Sequence, residues 1–165
     1  MKKKITMSLA AGLLCVVYVF VLGFAEATIQ TTVDPETIGI AVDRTAVAYG
    51  VRVLGTSALS GAINVTNTGN ISVRLLARGD DSSGPGTERW SLVSGASALT
   101  ANQYVHRISP DGSDYFSLGK FFSPHATIAP GVAQAIYLRV TLPPVVGSSF
   151  SGRHTMPVIL RAEKL

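Results

Sequence analysis

His106, His125 and His154 are the side chains best placed by type for acid–base or metal chemistry near neutral pH. They stand far apart in the chain and form no H-x-x-H pair and no H-E-x-x-H set. A zinc centre would have to be gathered from distant segments, and surface or turn positions are the simpler expectation. Serines are plentiful, yet no G-x-S-x-G elbow occurs, so a hydrolase of that type has no support. Asp80 and Asp81 in "GDDSSG", and Asp111 and Asp114 in "DGSD", could offer oxygens to calcium. Neither loop has EF-hand spacing, and solvated turns account for both. Arg78-Gly79-Asp80 spells an adhesion tripeptide, but strand-to-loop junctions favour Gly and Asp in any case. Asn64-Val65-Thr66 and Asn70-Ile71-Ser72 are glycosylation sequons. Trp90 beside Leu92 reads as a core anchor, or as a sugar-stacking platform if it is exposed. No nucleophile–base set is present, so no catalytic residue, resident metal or cofactor is assigned and the chain is expected not to be an enzyme.

The elements that carry these residues read as strands. In "GAINVTNTGNISVRLLARG", Ile63 and Val65 alternate with Asn64 and Thr66, and Ile71, Val73 and Leu75 alternate with Ser72 and Arg74. Period two marks a strand with one buried and one wet face. By this alternation Asn64 faces outward, which suits a glycan. The knot Asn67-Thr68-Gly69-Asn70 supplies residues that tolerate positive φ, so it is a turn. It fits either a hairpin or an arch between two sheets. Further runs follow the same period: Ile38, Ile40 and Val42; "VAYGVRVLG", broken by Gly50; "RWSLV"; "QYVHRIS"; "YFSLGKFF". "QAIYLRVTL" is the cleanest, with Ile136, Leu138, Val140 and Leu142 inward and Tyr137, Arg139 and Thr141 outward. "HTMPVILRA" closes the chain with Met156, Val158 and Leu160 on its inner face. Pro157 cannot donate to a ladder, which marks an edge strand or a bulge. No segment after the leader shows helical periodicity over three turns. The expected fold is all-β, an antiparallel β-sandwich of immunoglobulin-like or jelly-roll type, preceded by an N-terminal signal helix. Its expected core is Ile63, Val65, Val73, Leu75, Ile136, Leu138, Val140, Val158 and Leu160.

The leader is read from Lys2, Lys3 and Lys4, the apolar run that follows, and the small-x-small site Ala25-Glu26-Ala27. Cleavage is expected before Thr28; an uncleaved anchor is the alternative, because the run is long enough to span a bilayer. Cys15 is the only cysteine, and Leu14 before it rules out a lipoprotein acceptor. The mature chain would then lack disulfides and rely on its core or its partners. Much of the net charge of +4 comes from the leader lysines, so no nucleic-acid footprint remains. The expected organisation is residues 1–27 signal peptide, 28–36 N-terminal extension and 37–165 β-sandwich domain.

"INVTNTGNISV", "ATIAPGVAQAIYLRVTLPP" and "SGRHTMPVILRAE" resemble strands of secreted immunoglobulin-like sandwiches of prokaryotic surfaces. With a leader and a cysteine-free domain, the chain also resembles the TasA and camelysin group and the archaeal bundling pilins. That resemblance implies a subunit of an extracellular filament or pilus, assembled by donor-strand exchange, with itself as partner. The donor would be Ile29, Thr31 and Val33, which alternate with Gln30 and Thr32 ahead of "DPE". The same run would also serve as an ordinary first strand. The expected location is secreted, extracellular or at the cell surface, touching a membrane only through an uncleaved leader. The alternative function is a monomeric secreted or surface-tethered binding module for polysaccharide or matrix.

Overall fold

Short apolar runs punctuated by Gly and Pro give ten strands and no helix among the residues described. The computed structural model describes residues 32–95, 98–146 and 152–165. The expected signal peptide, residues 1–27, lies outside them, as do Ile29 and Thr31 of the expected donor. Pro35–Leu165 forms one compact unit. The strands are β1 (Ile40–Val42), β2 (Ser57–Leu59), β3 (Ile63–Asn67), β4 (Val73–Gly79), β5 (Ser91–Leu92), β6 (Gln103–Ser109), β7 (Phe116–Ser117), β8 (Ser123–Ile128), β9 (Ala133–Thr141) and β10 (Val158–Lys164).

Two sheets form. The larger runs β1-β3-β9-β6-β5, with β2 also on β9 and β7 also on β6; the smaller runs β10-β4-β8. β9, the cleanest period-two run, is the hub, and pairs antiparallel with β2, β3 and β6. Side chains from both sheets share one core: Ile63 and Val65 from β3, Val73 and Leu75 from β4, Ile128 from β8, Ile136 and Leu138 from β9. Val158 and Leu160 of β10 pack against its margin. A second cluster gathers Trp90, Leu92, Tyr104, Val140 and Leu142. Trp90 is thus a core anchor, only 7% exposed.

The Asn67–Asn70 knot is an arch. β3 before it pairs in the larger sheet, while β4 after it pairs in the smaller. Asn67 is fully buried at the start of the arch. Its Nδ2 donates to Ile71 O (2.8 Å) and to Ile128 O in β8 (3.0 Å), and its Oδ1 accepts Gly69 N–H (2.9 Å). One side chain at the end of β3 therefore ties the larger sheet to the arch and to β8 of the smaller.

Two expectations need correction, and one strand goes beyond them. The sheets are not wholly antiparallel, because β5 pairs parallel with β6. The "VAYGVRVLG" run is not a strand; it alternates, but finds no ladder. β8 was not anticipated, because Pro124 and the polar residues of "SPHATI" break the apolar pattern. Its register against β4 shifts between Leu75 and Leu76, and Leu76 is buried beside Leu75. Pro157 immediately precedes β10 and stands outside its ladder, and β10 lies at the edge of its sheet.

Candidate functional site

β1 ends the larger sheet and β10 ends the smaller, and a groove of about 480 Å³ opens between them. Its walls are apolar: Ile40 and Val42 from β1, Val158 and Leu160 from β10, with Ile63, Ile136 and Leu138 beneath. Among the described residues β10 pairs only with β4, so its outer backbone edge is unpaired. An apolar groove beside a free strand edge can take an added strand, with ladder bonds to the edge and alternate side chains into the groove.

His106 and Tyr49 also line the groove. His106 is 2% exposed, not at the surface as the sequence suggested. It shares the inward face of β6 with Tyr104 and Ile108, an alternation already present in "QYVHRIS". Its Nε2 lies 3.1 Å from the Tyr49 hydroxyl, and its Nδ1 has no partner among the described residues. Burial lowers its pKa to about 4, and burial pushes the Tyr49 phenol up. The pair is therefore neutral at physiological pH, as suits an apolar wall.

A clasp fixes the approach to β10. Ser83 and Thr155 exchange both backbone hydrogen bonds (2.9 and 2.8 Å). His154 stacks on Trp90 with centroids 3.9 Å apart, and its Nδ1 lies 3.2 Å from the Ser82 hydroxyl. A Cβ on Gly84 would stand 2.4 Å from His154 Cε1, so only glycine allows this approach. Ser82 Oγ accepts Trp90 N–H (2.7 Å) and is buried, serving the packing of the loop.

A second clasp holds the start of the unit. Asn70 Oδ1 accepts Thr37 N–H (2.7 Å), its Nδ2 donates to Pro35 O (2.8 Å), and Lys164 pairs with Glu36. Asn70 thus commits its amide to the 35–37 backbone. Asn64 is exposed on β3, as expected, and its Nδ2 donates to Asp43 (2.9 Å). Val33 is 87% exposed.

The carboxylates are occupied locally. Asp81 pairs with Lys120 (2.7 Å) and accepts Leu92 N–H, while Asp80 lies 3.4 Å from Arg78. Asp111 accepts the Ser109 hydroxyl and the N–H groups of Ser113 and Asp114; the Ser113 N–H leads in holding its carboxyl well below the usual range. These bonds close the turn between β6 and β7. No three or more His, Cys, Asp and Glu side chains gather as a metal site among the described residues. Arg78 and Gly79 belong to β4, and Gly79 is buried, so the Arg78-Gly79-Asp80 tripeptide is not displayed on a loop tip. His125 lies half-buried on β8, 3.0 Å from the Ser123 hydroxyl. No described helix is long and apolar enough to cross a membrane. Neither protein-family models nor curated proteins give a match to this chain.

Proposed function

We propose that the protein is a structural subunit of an extracellular filament or pilus, built on a secreted immunoglobulin-like sandwich. Residues 28–33 of one copy would add a strand to the next. The observation that carries this reading is the apolar groove beside the unpaired edge of β10. The proposed occupant fits its chemistry. Ile29, Thr31 and Val33 would enter the groove, and Gln30 and Thr32 would face out. Each fully buried Ile or Val side chain contributes about 1.5–3 kcal/mol, and each ladder bond adds about 0.5–1.5 kcal/mol.

Anchoring also supports it. The Asn70 clasp grips the chain at Pro35 and Thr37, so everything before Pro35 starts from a fixed point. Seven extended residues, 28–34, reach about 23 Å, enough to run along a neighbour's edge strand. The binding-module reading has less to stand on, because Trp90 is covered by His154 and offers no open aromatic face.

Removal of residues 28–33 tests the proposal. The truncated protein should stay monomeric in sedimentation and show no fibres by negative stain, and a synthetic TIQTTV peptide should stop elongation of the intact protein. Unchanged polymerisation after the deletion, or with Val33→Asp and Ile29→Asp together, would refute it. An intact protein that is monomeric at every concentration and binds a polysaccharide would favour the module.

A further inference from the structure

We infer that residues 44–54 are a placeholder strap, which fills the mouth of the groove in the free subunit and swings outward when a donor strand enters. This rests on the donor-strand reading and concerns how the same groove is kept closed before assembly.

The strap has the side-chain pattern of a strand without its bonds. Val47 and Tyr49 are half-buried and alternate with exposed Ala46, Ala48 and Gly50. Val47 packs against the first core cluster and Tyr49 against the second. Thr45, Ala46, Val47 and Tyr49 all line the groove. Backbone bonds flank the strap: Asp43 N–H to Asn64 O (3.0 Å) and Gly55 N–H to Pro143 O (2.8 Å). Between them, no backbone hydrogen bond joins 44–54 to either sheet among the described residues. The contact between the Tyr49 hydroxyl and His106 Nε2 ties the middle of the strap to the sheet beneath. Among the described residues, Arg52 bonds within the strap, to Tyr49 O (2.6 Å). Val51 and Val53 stand exposed beyond Gly50, whose φ of 70° turns the chain outward.

Competition between strap and donor follows from these bonds. The strap offers two half-buried side chains and no ladder. A donor strand offers three alternating side chains and main-chain bonds to β10. The donor wins at equilibrium, while the strap's release sets the rate. In the free subunit the strap keeps Val47 and Tyr49 over apolar walls that would otherwise meet water, and so suppresses unspecific contacts.

Limited trypsin digestion of the full-length protein, with and without saturating TIQTTV peptide, reads the strap directly. The peptide has no Lys or Arg, while the strap carries Arg44 and Arg52. Bound peptide should raise cleavage after Arg52 several-fold. Tyr49→Phe, which removes one hydrogen bond to the strap, should speed peptide association about two- to tenfold. Val47→Ala, a milder change to the plug, should act in the same direction. Peptide that binds while cleavage after Arg52 stays level or falls, with both variants associating at the parental rate, overturns the strap and leaves the donor reading standing. Peptide that binds none of the three proteins overturns both.

Discussion

Replacing His106 with phenylalanine should flatten the acid side of the protein's stability profile. The imidazole is 2% exposed, between the Tyr49 and Tyr104 rings at centroid distances of 6.2 and 6.3 Å. Burial holds its folded pKa at about 4, against 6.5 for the free side chain. The folded state therefore binds fewer protons than the unfolded state between these values, and stability rises with pH across that window. The stabilisation is complete above about pH 6.5 and declines as the pH falls; below about pH 4 both states are protonated and the loss levels off. The gap between 6.5 and 4, at 1.36 kcal/mol per pH unit, caps the loss at about 3 kcal/mol. Between pH 7 and pH 5 the expected share is about 2 kcal/mol. With an ordinary urea dependence, that moves the unfolding midpoint by about 1 M. Urea titrations of the parent and His106→Phe at pH 7 and pH 5 supply the comparison. His125 and His154, whose burial also lowers their pKa values, titrate in both proteins and cancel in the difference. If the variant loses as much stability as the parent between the two pH values, solvent reaches the imidazole and the burial of His106 does not set its titration.

Asn67→Ala should cost about 2–4 kcal/mol in urea unfolding, because it strips buried partners from Ile71 O, Ile128 O and Gly69 N–H together. Gly69→Ala places a Cβ 2.2 Å from Thr37 O, a backbone atom with little freedom. It should loosen the Asn70 clasp and speed proteolysis around Glu36. Gly84→Ala should push His154 off Trp90, which a red shift and stronger iodide quenching of the single tryptophan would report.

Period-two alternation carried most of the core. Ile63, Val65, Val73, Leu75, Ile136, Leu138 and Val140 are buried, and each stood on the inward phase of its run. Val158 and Leu160 only reach the margin, since β10 is an edge with the groove beside it. Alternation fails where the partner decides. Residues 47–53 have the pattern of a strand and no ladder among the described residues. β8 has a neighbour, and its backbone pairs with β4 despite Pro124 and a broken apolar pattern. The arch at Asn67–Asn70 was undecided because a tight polar turn looks alike whether its flanks pair together or apart. The candidate site was legible in part. Pro157 signalled the free edge and Tyr104–His106–Ile108 held the inward histidine, but the groove needs β1 and β10, from opposite ends of the chain, side by side.

The position of β9 also fixes when the protein can become a protein. The larger sheet is joined through Ala133–Thr141, and the smaller sheet needs β8 and β10 on either side of β4. Before β8 is made, the described strands can form only the β1–β3, β5–β6 and β6–β7 pairings, and such two- and three-stranded fragments are marginal in water. Most of its pairings join segments distant in sequence, which slows folding. The first three quarters of the polypeptide therefore gain a stable partner only when the last three strands, β8, β9 and β10, are made.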